Sequence, residues 1–405
     1  MTAAEQVEKI FRKEHGRVLA ALISQFGDFA LAEDALQNAL VNALERWEGD
    51  GVPRNPGAWL LTVAKRRGID RIRRAAALER KTTLLEPPPE DEPDMDNPIP
   101  DERLKLMFTC CHPALAVETQ VALTLHTLGG LSTDEVARAF LVPGPTMAQR
   151  LARARSKIRN AGIPYRVPPA DLLPERVESL LAVIYLIFNE GYVATRGEAL
   201  IRQDLCGEAI RLCRVLVALM PQSAEAKGLL ALMLLHDSRR EARQDAAGNL
   251  VLLDEQDRAR WDQDKIREGS ATLDDALALS VPGPYQVQAA ISALHADAPT
   301  PDKTDWPQIA ALYATLARMT PSMVVEVNRA VAVAMAHGAP AGLELLLLLD
   351  DQAQNFYPYH VARADLLRRT HQREAAAEAY ERALALCNNQ TERAYLQQRL
   401  DALNL

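Results

Sequence analysis

The residues with the clearest chemical meaning are cations crowded into one short predicted helix. The segment AWLLTVAKRRGIDRIRR, residues 58–74, begins apolar and ends basic. Its six cations face a single acid, Asp70, so pairing within the helix cannot neutralise them. Such a surface is suited to binding phosphates, and the alternative is an ordinary solvated helix face. The cations are Lys65, Arg66, Arg67, Arg71, Arg73 and Arg74.

A second basic helix is predicted in GGLSTDEVARAFLVPGPTMAQRLARARSKIR. Ser132 and Glu135 have the spacing of a capping box, VPGP ends the first helix, and Thr146 with Gln149 predicts a second capping box. Two capped helices, a turn of about four residues and a basic second helix predict a helix-turn-helix, whose second helix enters the major groove of DNA.

No catalytic constellation accompanies these cations. The sequence has no phosphate-binding glycine loop, no G-x-S-x-G and no H-E-x-x-H. Cys110, Cys111 and His112 are adjacent, and neighbouring side chains on a helix diverge by about 100°, so we interpret them as packing residues rather than zinc ligands. The acidic stretch 252–264 offers oxygen ligands for a metal, but a solvated connector is the simpler interpretation. We therefore expect that the protein is not an enzyme and that it binds no cofactor and no metal.

The elements that position the cations are predicted to be helices. The chain has 405 residues, 48% hydrophobic and only 5% aromatic, and Ala and Leu dominate. Good helix formers in this proportion predict an all-α fold of two or three domains. Since no uncharged apolar run of eighteen residues occurs and the N-terminus lacks the features of a secretion signal, we expect a cytoplasmic protein without a membrane partner.

Charge divides the chain into four parts, with net charges of +3 over residues 1–81, −8 over 82–102, +5 over 103–160 and −8 over 161–405. Six prolines and mutually repelling carboxylates disfavour regular structure in the second part, so we predict an acidic, proline-rich linker there. The predicted domains are therefore 1–81, 103–163 and 174–405. This charge distribution predicts that the two basic modules bind nucleic acid and that the large acidic domain does not.

Three helices are predicted before the linker, over residues 5–24, from Asp28 to Trp47, and from Pro56 onward. In the second helix, apolar residues recur at three- and four-residue steps and predict a buried stripe. That stripe is Phe29, Ala32, Leu36, Leu40, Ala43 and Trp47, and the opposite face bears Asp34, Gln37, Asn38 and Glu45.

From about residue 174 the pattern predicts helical repeats. The small and large positions of a tetratricopeptide unit are filled by Ala364, Leu367, Ala376, Tyr380 and Ala383. Positions 34 residues earlier are again small or apolar, which is the period of that repeat. Stacked helix pairs usually form scaffolds for peptides or protein surfaces, so we predict a protein or peptide partner here.

Taken in order, these parts resemble a bacterial RNA polymerase sigma factor of the extracytoplasmic-function group. The resemblance lies in NPGAWLLTVAKRRGIDRIRR, the acidic linker and LSTDEVARAFLVPGPTMAQRLARARSKIR, and the tail resembles a subgroup with a C-terminal helical-repeat extension. It implies RNA polymerase core and promoter DNA as partners, with regulation through the repeat domain. It also implies that the linker follows the RNA channel of the polymerase.

The resemblance further implies roles for individual residues. Asp34, Gln37 and Asn38 would contact the β′ clamp of the core enzyme, and the loop 48–55 would capture a flipped base of the minus-ten motif. The residues implied in minus-ten binding and strand separation are Arg54, Asn55, Trp59, Lys65, Arg66, Arg67, Arg71, Arg73 and Arg74. The residues implied in reading the minus-thirty-five motif are Thr146, Ala148, Gln149, Arg150, Arg153, Arg155 and Lys157, of which arginine suits guanine and glutamine adenine.

Two other functions fit parts of the sequence. The first is a helix-turn-helix regulator with a sensing repeat domain and no docking on polymerase, although such a protein needs neither the first 80 residues nor the acidic linker. The second is an enzyme within residues 174–405, for which no nucleophile or metal centre is evident. The acidic repeat domain would either cover the basic modules or hold them in an active arrangement.

Overall fold

The computed structural model describes residues 3–80, 101–140, 142–192, 203–245, 251–387 and 390–403. Helices make up most of these residues, which confirms the predicted all-α fold. The predicted linker lies outside the described residues, except for Asp101 and Glu102. The described chain forms two compact units, one ending at Leu186 and the other beginning at Ile187.

The α-helices of the first unit are α1 (Ala3–Phe26), α2 (Phe29–Asp50), α3 (Pro56–Arg80), α4 (Arg103–Cys110), α5 (Val117–Thr127), α6 (Thr133–Ala139), α7 (Gly144–Asn160) and α8 (Leu173–Tyr192), whose last turns reach the second unit. Those that follow are α9 (Gln203–Leu219), α10 (Ala224–Asp237), α11 (Gln263–Leu277), α12 (Pro284–Asp297), α13 (Trp306–Met319), α14 (Met323–His337), α15 (Ala339–Leu347), α16 (Asp350–Ala353), α17 (Tyr357–Arg369), α18 (Arg373–Leu386) and α19 (Gln390–Asp401). Short 3-10 helices lie at Arg240–Ala242, Arg258–Arg260 and Pro301–Lys303.

Helices α1, α2 and α3 pack together as the predicted stripe requires. Asp28 caps α2, because its carboxylate accepts from the Leu31 N–H at 2.9 Å. The stripe residues of α2 are buried, apart from Leu40, which is half-buried. Helix α3 approaches closely at Gly68, where a Cβ would lie only 2.3 Å from the Phe26 ring. Helix α2 also extends three residues into the predicted loop, ending at Asp50.

The helix-turn-helix is formed by α6 and α7, with one capping box rather than two. The Ser132 hydroxyl accepts from the Glu135 N–H at 3.2 Å, and the Glu135 carboxylate accepts from the Ser132 N–H at 2.8 Å, as predicted. The predicted box at Thr146 and Gln149 is wrong. Helix α7 begins three residues earlier, at Gly144, because Pro145 has its φ fixed near helical values and lacks only an N–H that the first turn does not use.

The second unit consists of packed helix pairs. The five predicted repeat positions of α17 and α18 are all buried in one core cluster. Gly342 of α15 lies 34 residues before Ala376. It lets α14 approach so closely that a Cβ at position 342 would lie 2.5 Å from the Ala334 Cβ. These contacts are those expected of a repeat, and the tetratricopeptide assignment stays a prediction.

The acidic stretch 252–264 has structural tasks within the second unit. Asp262 caps α11 by accepting from the Lys265 N–H at 3.1 Å, and Trp261 is buried in a core cluster. Arg258 donates to the carbonyl of His295 at 2.6 Å, near the C-terminal end of α12. Asp262 therefore caps a helix and Arg258 connects two elements, so this stretch is a connector as predicted, although it is partly buried rather than fully solvated.

Candidate nucleic-acid and polymerase interface

The basic half of α3 presents its cations to solvent. Arg66, Arg67, Arg71, Arg73 and Arg74 are exposed, and Lys65 is half-buried. The helix is held from its apolar half, where Ala58, Trp59, Leu60, Leu61 and Ala64 are buried. The sequence change from apolar to basic therefore corresponds to a change from packing to solvent along one helix.

The loop before α3 is tied at both of its ends. Asn55 caps α3 by accepting from the Ala58 N–H at 3.2 Å, while Arg54 is exposed. Trp47 at the end of α2 and Trp59 of α3 pack edge-to-face with ring centroids 5.3 Å apart. Trp59 is only 8% exposed, so its position favours supporting the loop over touching DNA directly.

The predicted docking face of α2 is polar at its N-terminal half. Gln37 and Asn38 are exposed, and the Asn38 side chain donates to the Asp34 carbonyl at 2.7 Å. Asp34 forms an ion pair with Arg71 of α3. A residue implied in polymerase docking and one implied in DNA binding thus partly neutralise each other.

The same face of α2 continues into exposed apolar residues that the sequence analysis missed. Val41 is 55% exposed and Leu44 is 46% exposed. Both follow the polar residues at three- and four-residue steps, which places them on one helix face. Their three- and four-residue spacing is present in the sequence, but the buried stripe on the other face gives a stronger periodic pattern.

Helix α7 exposes most of the residues implied in reading the minus-thirty-five motif. The exposed residues are Thr146, Ala148, Gln149, Arg150, Arg153 and Lys157. Arg150 has one distant acidic neighbour, Glu118, at 3.9 Å. Arg155 differs from the others, because its guanidinium lies 2.9 Å from the Glu33 carboxylate of α2 and its side chain is only 21% exposed.

The carboxyl group of Glu33 lies in a buried position that disfavours its charged form. Burial raises its pKa from the ordinary 4.5 to about 7, and this effect outweighs the attraction of Arg155. His126 of α5 lies 3.8 Å from the same carboxylate. Burial and the charge of Arg155 lower the pKa of His126, so its imidazole is predominantly neutral near pH 7.

The adjacent residues Cys110 and Cys111 pack in the core of the first unit. Cys110 and Cys111 are buried, with their sulfurs 3.2 and 3.5 Å from the hydroxyls of Thr127 and Thr124. Burial raises the pKa of both thiols, which leaves them protonated and unreactive. Within the described ranges, no helix is at once long and apolar enough to cross a bilayer.

Comparison with known families matches three parts of the chain. Residues 10–77 match sigma-70 region 2, residues 105–158 match sigma-70 region 4, and residues 176–277 match a family of unknown function, DUF6596. The first match covers α2 and the basic half of α3, and the second covers the helix-turn-helix. Families of this kind are non-enzymatic initiation factors whose partners are RNA polymerase core and promoter DNA.

Two relatives illustrate the extent of the similarity. The chain is 43% identical over 399 residues to an uncharacterised protein of Rhizobium meliloti, covering 96% of this chain and 93% of the relative. It is 24% identical over 177 residues to the probable ECF RNA polymerase sigma factor SigI of Mycobacterium tuberculosis, covering 42% of this chain and 60% of that protein. No solved structure matches the chain. Both sigma-70 regions are present in order, and together with the similarity to SigI they support an extracytoplasmic-function sigma-70-like factor.

Proposed function

We propose that three surfaces of the first unit have separate binding functions in this sigma factor. The face of α2 bearing Asp34, Gln37 and Asn38 docks on the β′ clamp of core polymerase. The loop 51–55 and the cations of α3 bind the minus-ten motif and help to separate its strands. The exposed residues of α7, from Thr146 to Lys157, read the minus-thirty-five motif.

The observation that carries this proposal is the separation of packing and exposure along α3 and α7. Each helix buries an apolar side in its own bundle and leaves a row of cations in solvent. Exposed cations without enough acidic partners to neutralise them bind the phosphate backbone and release counterions. An ordinary solvated face would be expected to pair its charges along the helix, whereas residues 65–74 carry six cations and one acid, Asp70.

The docking surface combines polar and apolar groups. Val41 and Leu44 add exposed apolar area next to Gln37 and Asn38, and burial of such area supplies affinity while the polar groups set the register. We therefore add Val41 and Leu44 to the residues proposed to contact the clamp.

The test of the proposed function is run-off transcription from random promoter fragments with purified core polymerase. Defined start sites that share two motifs, present only with the added protein, are the expected result. Arg150→Ala should then change the sequences selected at the upstream motif, whereas Arg73→Ala should weaken all promoters alike. The assignment of α7 fails if Arg150→Ala has only a uniform effect.

We propose further that the acidic C-terminal repeat domain regulates this activity through a protein or peptide partner. Packed helix pairs and the net charge of −8 over residues 161–405 support such a role beside two basic modules. The comparison is between the full chain and residues 1–192, which retain all of α8. This boundary matters because Arg176 of α8 donates to the Phe108 carbonyl of the first unit. Activity that rises on truncation indicates inhibition, and activity that falls indicates support; unchanged activity contradicts a regulatory role.

A further inference from the structure

Three arginines of the second unit lie against aromatic rings. The guanidinium carbon of Arg243 is 3.9 Å from the centroid of the Tyr192 ring. Those of Arg258 and Arg239 are 4.9 Å and 6.0 Å from the centroid of the Trp261 ring. A ring holds a guanidinium in place through the cation–π attraction but leaves its positive charge without a counter-charge. These three side chains, the arginine cluster, are therefore cations with fixed positions.

The backbone brings the members of the arginine cluster together. Arg239 and Arg243 stand on either side of one 3-10 helix, and Arg258 belongs to the next one. The Asp262 N–H donates to the Ser238 carbonyl at 2.9 Å, which ties the second segment to the first. The cluster is therefore a product of the fold and not of one flexible loop.

Acids are present in this unit, but other cations hold them. Asp237 is only 2% exposed and forms an ion pair with Arg240, while the Lys265 Nζ lies 3.0 Å from the same carboxylate. Arg214 likewise pairs with Glu268 at 2.7 Å. Within the described ranges, no carboxylate oxygen comes within 4 Å of the arginine cluster. The cluster concentrates positive charge in a region, residues 161–405, whose net charge is −8.

The same place is short of hydrogen-bond acceptors. In the part of the chain that the structure describes, the guanidiniums of Arg239 and Arg243 have no acceptor. There too, the Trp261 indole N–H and the Arg258 Nε are buried without one. Arg258 does use a terminal nitrogen, which donates to the His295 carbonyl at 2.6 Å. Donors that lack acceptors are costly when buried, so this site favours a ligand that supplies oxygen atoms.

Two histidines beside the cluster add no charge to it. Burial lowers the pKa of His236 well below its usual value, and the charges of Arg239 and Arg243 lower it further. Burial, followed by the charges of Arg239 and Arg258, lowers the pKa of His295 to about 4. Because the charge of Arg239 reaches both imidazoles, the cluster acts on one small region of the unit.

We propose that the arginine cluster binds the phosphate group of a small molecule, with Arg239 and Arg243 donating to its oxygens and Arg258 adding positive charge. A phosphate dianion suits two guanidinium forks, because it offers more acceptor oxygens and more charge than a carboxylate does. Both contacting arginines are partly buried, which favours a compact ligand over an extended chain.

The site gives a binding function to a part of the chain that had none. Tyr192, Trp261 and the arginine cluster all lie within residues 176–277, which match the family of unknown function. The second unit would then be a receptor for a phosphorylated molecule as well as a scaffold of helix pairs. This inference does not depend on the proposed roles of α2, α3 and α7.

The test is amide hydrogen exchange of the full chain in inorganic phosphate and in sodium chloride of equal ionic strength. We expect phosphate to slow exchange saturably in peptides from residues 236–245 and 251–266, because a ligand that binds only the folded state stabilises it. Sodium chloride should not do so. Local exchange also separates this site from phosphate bound by the cations of α3 and α7, which belong to the first unit.

A pair of double variants tests the arginines themselves. Arg239→Gln with Arg243→Gln removes both proposed contacts, and we expect the affinity for phosphate to fall by at least about tenfold. Arg318→Gln with Arg373→Gln makes the same charge change at two exposed positions of the same unit and should leave the affinity unchanged. Equal affinities in the two double variants overturn the site, as does equal protection by phosphate and chloride.

A single variant covers the case in which the first double variant is damaged. Faster exchange of α10 without phosphate would reveal such damage. Arg243→Lys then replaces it, because lysine keeps the charge but lacks the guanidinium fork and its stacking on Tyr192. Its affinity for phosphate should still fall several-fold, and an unchanged affinity overturns the proposed contact.

Two further probes test the chemical class of the ligand. Succinate at the same concentration should protect the two peptides less than phosphate does, and equal protection overturns the assignment to a phosphate group. Glycerol phosphate should bind at least as tightly as a phosphoserine peptide of neutral sequence. The reverse order overturns the choice of a small molecule and indicates a phosphorylated protein instead.

Discussion

Replacing Glu33 by glutamine should stabilise the first unit at alkaline pH. Glutamine has nearly the shape of a protonated glutamate, so it removes only the charge. In the folded protein, burial raises the pKa of Glu33 from 4.5 to about 7 despite the nearby Arg155. The folded state therefore binds this proton more tightly than the unfolded state does.

Linkage between proton binding and folding fixes the sign and the size of the effect of Glu33 on stability. The contribution of Glu33 to stability is fully present below pH 4.5 and is lost as pH rises through about 7. A shift of this size corresponds to about 3 kcal/mol of differential stability, at ~1.36 kcal/mol per pKa unit. We expect Glu33→Gln to match the wild type near pH 4.5 and to be more stable by up to about 3 kcal/mol at pH 8.

The measurement is amide hydrogen exchange of peptides from α2 and α7, corrected for the intrinsic pH dependence of exchange. Local exchange is preferable to a global melt, because a chain with two compact units is not expected to unfold in one step. Glu45→Gln, at an exposed position of α2, is the matched control and should show no difference between the two pH values. If Glu33→Gln is less stable than the wild type at pH 8, the ion pair with Arg155 outweighs burial, and the reasoning is wrong.

Three further predictions concern the proposed interfaces and the helix-turn-helix. Arg150→Ala should weaken binding to the minus-thirty-five motif by ~1–3 kcal/mol in a base-specific pattern, measured on duplexes varied at each position. Leu44→Asp should lower affinity for core polymerase in a pull-down titration, whereas Ile72→Asp, which alters a similarly exposed residue on α3, should not. Ser132→Ala should cost the start of α6 about 1 kcal/mol, seen as faster amide exchange there, because the capping box is lost. Unchanged exchange would show that α6 is held by packing alone.

Local patterns were sufficient to predict the three helices before the linker and the two helices of the helix-turn-helix. The buried stripe of α2, the Asp28 start and the Ser132–Glu135 box depend on residues within a few positions of each other, so a single sequence contains their cause. The second capping box failed for a local reason as well: Pro145 favours a helix start at Gly144, and this signal competes with Thr146 within the same turn. The family resemblance followed from the order of these segments.

Contacts between distant residues were beyond the reach of the sequence. Nothing near Glu33 in the chain indicates that Arg155 and His126 surround it, or that its pKa is raised. The ion pair of Asp34 with Arg71 likewise depends on how α2 and α3 cross. Charge patterns predicted which residues are cationic and exposed, but only packing decides which of them already have an acidic partner.

The paired rings of Trp47 and Trp59 have a consequence for how promoter preference can change. They join the end of α2 to the start of α3, so the intervening loop is anchored by this ring pair as well as by the Asn55 cap. Residues 52–54 can then be exchanged with little effect on the fold, and the entropy of ordering the loop in the proposed base capture is partly removed in advance. The proposed minus-ten preference can therefore change by substitution at residues 52–54 alone, with the stability of the bundle left nearly unchanged.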